Sequence, residues 1–182
     1  MADNIITLYH GTTHEFDEID VNRGKPYKDF GAGFYASRNK LHAESLAKRN
    51  KSIEIERLVV RGEKRAVNAW LCSYEFDLAC LDKLNVKEFI EPGKKWVEFI
   101  VKNRTARNYR HGYDVVIGPT ANDDTNITIQ ALINGVYGDP ESDAAIDIFL
   151  QLIMPERLPK QMYFGTQKAA AMLKFIERTQ VL

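Results

Sequence analysis

Two short blocks in this chain of 182 residues join a reactive or stacking side chain to glycines that leave the backbone bare. In the first, Leu8-Tyr9-His10-Gly11-Thr12, a histidine closes an apolar, β-branched run and a glycine follows at once. Such a run carries an imidazole to the lip of a strand. Gly11 has no Cβ, so its N–H and C=O can approach a planar ligand closely. The second block is Asp29-Phe30-Gly31-Ala32-Gly33-Phe34-Tyr35-Ala36-Ser37. Its glycines bend the chain sharply before an aromatic pair, and Tyr35 can offer its ring face to a flat, electron-poor ring. Each block also has a plain structural reading. The first would be a strand ending in a turn, with His10 bonded to backbone; the second, a glycine loop beside a core Phe and Tyr.

Other groups are less pointed. No phosphate-loop, dinucleotide-binding, HExxH or CxxC motif is present. His10, His14, His42 and His111 show no tight metal-ligand spacing, and His14 and His42 are expected to be solvated at the surface. Cys72 and Cys80 read as buried or half-buried thiols. Asn122, Asp123 and Asp124 could hold an acceptor or supply a carboxylate, or could simply make an Asx turn. Trp96, Phe99 and Ile100 recur at helical spacing and read as core.

The elements that must position these groups follow from periodicity and breakers. Strands are expected at 5–9, 34–36, 67–76, 113–119 and 161–164, with a loop over 22–33. Asn39 is expected to cap a helix over 40–50, with Leu41, Ala43, Leu46 and Ala47 near one stripe. Pro92-Gly93 opens a second helix, and another follows Asp139-Pro140 over 143–153. Thr166 is expected to cap a last helix carrying Ala169, Ala170, Leu173 and Ile176 inward. Strands and helices are mixed without regular βαβ alternation, which predicts an α+β fold with a largely antiparallel sheet.

Length predicts one domain over 1–182. Lys+Arg and Asp+Glu are 25 each, which argues against a broad electrostatic grip on nucleic acid and leaves room for a local basic patch. Met1-Ala2-Asp3-Asn4 lacks the basic start of a signal peptide, and no window approaches the ~18 apolar residues of a membrane span, so the expected location is cytoplasmic, without a membrane partner.

Taken in order, the two glycine blocks resemble the diphtheria-toxin and poly(ADP-ribose) polymerase branch of the ADP-ribosyltransferases. That branch has a strand followed by His-Gly-[ST], here His10-Gly11-Thr12, and then a Phe-Gly-x-Gly-[IVF]-Tyr strand, here Phe30 to Tyr35. The chain resembles still more closely a bacterial family of unknown function, DUF3990, assigned to the same superfamily. The further shared blocks are Tyr-Asp-Val-Val-Ile-Gly-Pro with Ala-Asn-Asp after it, ending at Asp123, and Gln161-x-x-Phe164-x-Thr166.

The resemblance implies an ADP-ribosyltransferase-like fold, with a split, mostly antiparallel sheet and flanking helices, and NAD⁺ as substrate. It implies that His10 hydrogen-bonds the adenosine ribose, that Gly11 clamps the nicotinamide carboxamide, and that Tyr35 stacks on the nicotinamide, with Thr12 and Gly33 completing the cofactor-binding blocks. Arg23, Lys25 and Lys28 would lie in a loop over the donor site, near pyrophosphate. The third position departs from the pattern: active members often hold a Glu, whereas this chain has Gln161. An amide oxygen can accept the ribose bond but carries no charge and cannot act as a base. Glu156 and Glu177 are near in sequence but outside the strand motif. The expected activity is mono-ADP-ribosyl transfer to a protein or nucleic acid, in the manner of bacterial toxin-type effectors, with an antitoxin or immunity protein as partner. The alternative is a weak or inactive NAD- or ADP-ribose-binding module of the same fold.

Overall fold

The computed structural model describes residues 4–121, 123–153 and 158–182. The chain runs β1 (Ile5–Thr12), β2 (Phe34–Ala36), α1 (Lys40–Val60), β3 (Ala69–Asp77), β4 (Val86–Glu88), α2 (Lys94–Thr105), β5 (Val115–Pro119), α3 (Asp123–Ile133), α4 (Asp143–Leu152), β6 (Lys160–Phe164), α5 (Gln167–Ala170) and β7 (Lys174–Val181). The fold is α+β. One sheet has the order β1-β3-β7 and is antiparallel; the other has the order β2-β6-β5-β4, in which β4 and β5 run parallel and the remaining pairs antiparallel.

Alternation along the strands builds two cores. In β6, Met162 and Phe164 face one way and Tyr163 the other; in β5, Val115 and Val116 divide likewise. The first set meets Leu8, Cys72, Tyr74 and Phe76 between the two sheets. The second meets Trp96, Ile100, Ile129, Ile146 and Phe149, which face it from α2, α3 and α4. The second sheet is therefore buried on both faces, as a near-continuous apolar run such as 115–119 requires. The thiols are free, Cys72 buried and Cys80 half-buried.

A backbone bridge also joins the sheets, where Tyr9 and Ser37 exchange bonds of 2.8 and 2.9 Å. Beyond it β1 and β2 diverge, and the gap between them becomes a cleft. The family-type block at 113–119 is scaffold: Asp114 takes the Thr166 hydroxyl at 2.6 Å and the Asn85 N–H at 2.9 Å, tying β4, β5 and the end of β6 together.

Three expectations need correction. The helix capped by Asn39, whose Oδ1 accepts the His42 N–H at 3.0 Å, runs on to Val60 because nothing between 50 and 60 breaks it; Leu41 is exposed rather than on the packed stripe. The last helix stops at Ala170, and Ile176 lies in β7, an exposed edge strand that completes the first sheet beside β3. Ala169, Ala170, Leu173 and Ile176, at i, i+1, i+4 and i+7, imitate a helical stripe, but the free edge of β3 supplies residues 174–181 with a ladder that local propensity does not report. Asp123 and Asp124 open α3 instead of lying in a loop, and Asn122 is outside the described residues.

Candidate functional site

The cleft between the diverging strands has a volume of about 550 Å³. Four of the six residues that the resemblance assigns to catalysis and cofactor binding line it: His10 from β1, Gly11 beside it, Tyr35 from β2 and Gln161 from β6. Thr12 is buried and lies outside the lining; its hydroxyl accepts the His14 N–H at 3.1 Å. Gly33 is also outside it. A Cβ there would sit 2.3 Å from the Tyr163 ring, so its bareness serves the packing of the glycine loop on β6.

His10 is held by both ring and nitrogen. Its ring lies 4.4 Å from that of Phe34, and Nδ1 donates to the Tyr35 carbonyl oxygen at 2.7 Å. A carbonyl only accepts, so Nδ1 carries the hydrogen and the neutral ring keeps a lone pair on Nε2. Burial pushes the imidazole down to about 4, against the smaller upward pull of the Tyr35 carbonyl. His10 is thus neutral near pH 7, and its Nε2 can accept a hydroxyl hydrogen.

Gly11 owes its lack of a Cβ to α1: a Cβ would lie 2.0 Å from the Ala43 carbonyl oxygen and 2.8 Å from the Ala47 nitrogen. Helix and strand thereby close one wall of the cleft. The backbone of Tyr9 points at Ser37, and directions alternate along a strand, so the N–H and C=O of Gly11 point to the same edge, past the bridge. There they offer one donor and one acceptor side by side.

Tyr35 is more constrained than its sequence suggests. Its hydroxyl donates to the Gly31 carbonyl oxygen at 2.7 Å and accepts the Phe30 N–H at 3.0 Å. The hydroxyl anchors the glycine loop, and desolvation raises its pKa well above the usual range. The ring packs edge-on to Tyr163 at 5.2 Å.

Gln161 meets a residue that the sequence did not single out for the site. Its Nε2 lies 2.9 Å from Nε2 of His42, which is half-buried in the cleft and not solvated at the surface as expected. Burial lowers the His42 pKa, favouring the neutral ring that can accept from the amide. Gln161 Nε2 is then engaged and Oε1 is the group left to a ligand.

Asp29 is the one carboxylate lining the cleft among the described residues, and it is already spoken for. One oxygen takes Arg104 Nε at 2.7 Å and Nη2 at 2.5 Å; the other takes the Ala121 N–H at 2.7 Å. This nearly buried pair fixes the glycine block against α2 and the end of β5. Of the loop cations, Lys28 reaches the cleft lining, with Arg49 opposite on α1; Arg23 and Lys25 do not line it. Glu177 lies on β7 in the other sheet, and Glu156 falls outside the described residues.

A family model described as "Protein of unknown function (DUF3990)" matches residues 6–175. The chain belongs to this family. The match spans β1, the cleft and both blocks that hold β5 and β6 together, so DUF3990 membership covers the whole candidate site. A search of curated proteins finds no match to the chain. Among the described residues no helix is long and apolar enough to cross a membrane.

Proposed function

We propose that this DUF3990 protein binds NAD⁺ in the cleft between β1 and β2 and transfers its ADP-ribose moiety to an acceptor. One observation carries the reading: His10, Gly11, Tyr35 and Gln161, from three separate segments, line a single cleft. Their chemistry suits the parts of the dinucleotide. The paired N–H and C=O of Gly11 match a carboxamide, which has one acceptor and one donor. Neutral His10 accepts a ribose hydroxyl. Lys28 and Arg49 supply positive charge for the pyrophosphate. Gln161 Oε1 accepts a second ribose hydroxyl and places a partial negative charge where positive charge develops as the bond to nicotinamide breaks.

A second reading keeps the NAD⁺ site and removes the turnover. It is favoured by the absence of a free carboxylate lining the cleft among the described residues, since Asp29 is committed to Arg104. A protein of this kind would serve as a binding module.

Thermal unfolding with and without NAD⁺ tests the site. A ligand that binds only the native state at about a hundred times its Kd adds ~2.7 kcal/mol. At ~2–4 °C per kcal/mol for a chain of this size, the expected rise is roughly 5–10 °C. Tyr35→Phe should keep most of the rise, because the ring remains, while lowering the baseline Tm through loss of the loop anchor. Tyr35→Leu should lose both. No rise at millimolar NAD⁺ would remove the nucleotide reading. Labelled NAD⁺ with a lysate, followed by protease or nuclease digestion, then separates transfer from binding alone.

A further inference from the structure

A second cavity, of about 510 Å³, lies on the other side of the glycine loop and shares no lining residue with the first. Its wall is formed by Tyr27, by Ala32 at the loop, and by the segment from Asn103 to Tyr113. The chain balances 25 cations against 25 anions, yet among the described residues no acidic side chain lines this cavity. From Phe99 to Tyr113 the sequence holds Lys102, Arg104, Arg107 and Arg110 and no Asp or Glu. Arg104 turns away to Asp29. Arg107 and Arg110 line the cavity, are exposed, and form no salt bridge among the described residues.

Three further features concern shape. Tyr27 is 52% exposed and sits at the lip with φ 60°; Asn108, with φ 59°, lies across from it in the same lining. Among the described residues these are the two non-glycine positions with positive φ, and a bulky aromatic residue rarely adopts that region. Such outliers persist where surrounding structure holds them, and they gather at ligand sites. His111 is fixed as part of the wall, its Nε2 donating to the Phe30 carbonyl oxygen at 2.9 Å and its Nδ1 accepting the Tyr113 N–H at 3.1 Å. Asn103 is 4% exposed, and its Nδ2 donates to the Phe99 carbonyl oxygen at 2.8 Å. That bond fixes the amide, and Oδ1 is left buried with no partner, on the side of Gly31, which also lines the cavity. A buried acceptor without a donor is a cost that the fold bears in this wall.

We propose that this cavity binds single-stranded nucleic acid. A base stacks on Tyr27, and the flanking phosphates meet Arg107 and Arg110. Aromatic faces within a positively charged groove are the physical basis of single-strand binding. The inference rests on this cavity alone and is independent of the NAD⁺ reading.

Fluorescence anisotropy with labelled oligonucleotides of about 12 bases, within the range of one such site, tests it on the full chain. Oligo-deoxyadenosine, oligo-deoxycytidine and oligo-thymidine should each bind more tightly than an abasic strand of equal charge. Arg107→Ala/Arg110→Ala should weaken binding at least ~10-fold at low salt and flatten the salt dependence of log K by about 1.4, two phosphates at ~0.7 each. Tyr27→Ala should cost at least ~5-fold on the adenine strand and leave the abasic strand unchanged. Equal binding of abasic strand and polyglutamate to that of oligo-deoxyadenosine overturns the proposal, as do wild-type affinity in both variants, tighter binding of a phosphotyrosine peptide than of any oligonucleotide, or no binding at all. Both variants should keep whatever Tm rise NAD⁺ gives the wild type, so failure here is distinguishable from failure at the first cleft.

Discussion

Gln161 and His42, 119 residues apart in sequence, meet nitrogen to nitrogen at 2.9 Å. An amide nitrogen only donates, so His42 accepts on Nε2, carries its hydrogen on Nδ1, and must be neutral. The contact decides which end of the Gln161 amide faces the cleft. A protonated His42 has no lone pair, and the amide must then turn and present its NH₂ to the ribose.

Ligand binding should therefore weaken in acid. Burial places the His42 pKa below the usual 6.5 and that of His10 at about 4. The NAD⁺-dependent rise in Tm should be full at pH 7.5 and shrink below pH 6.5 as His42 takes up its proton. His42→Gln keeps an acceptor without a titration, and its acid limb should move down toward that of His10. The free protein supplies the baseline. Both histidines have folded values below the unfolded 6.5, so the unfolded chain binds more protons as pH falls from 6.5 toward 4. Stability present above pH 6.5 is eroded across that window, by about 3 kcal/mol for His10 when complete. A Tm rise with NAD⁺ that is constant from pH 7.5 to 5 would show that His42 does not set the amide.

Asp29 and Arg104 should behave as a structural pair. Their side chains are 7% and 11% exposed. Removing the carboxylate leaves a guanidinium nearly buried, at a cost of ~3–5 kcal/mol. Asp29→Ala should lower Tm by roughly 10 °C at ~2–4 °C per kcal/mol. Asp29→Asn keeps an acceptor and should fall between Ala and wild type, with its NAD⁺ response intact. A normal Tm in Asp29→Ala together with loss of transferase activity would reverse the assignment and make Asp29 the missing carboxylate.

What could be read in the sequence divides along physical lines. His10, Gly11 and Tyr35 stood out because strand ends and glycines announce themselves locally, Gln161 was reached only through the family resemblance, and the core segments 115–119 and 143–152 carry strong apolar patterns. His42 was not legible: on α1 its spacing looks like any half-exposed helical position, and its role depends on β6 arriving from the far end of the chain. Arg104 sits among other cations, and nothing local marks it as the one that turns inward to Asp29. β7 was hidden by a helix-like spacing on a mostly exposed edge. The acid-free run from 99 to 113 was visible all along; without a fold, a run of cations reads as a solvated face.

The last prediction concerns charge at Gln161. If the protein turns over NAD⁺, Gln161→Ala should lower the rate more than the affinity, because the bond to the ribose tightens as positive charge develops. Loss of one such transition-state hydrogen bond can cost ~10²–10³ in rate. Gln161→Glu alone is an impure test of the missing carboxylate. The new group would lie beside His42, raise its pKa and pair with it, and a paired carboxylate loses much of its field at the ribose. The informative variant is Gln161→Glu/His42→Gln, in which the carboxylate gains a neutral amide donor instead of a counter-charge. Its NAD⁺ hydrolysis or transfer should exceed that of wild type and of Gln161→Glu. If the double variant is inert while NAD⁺ still raises its Tm, charge at this position is not what turnover lacks, and the binding-module reading prevails.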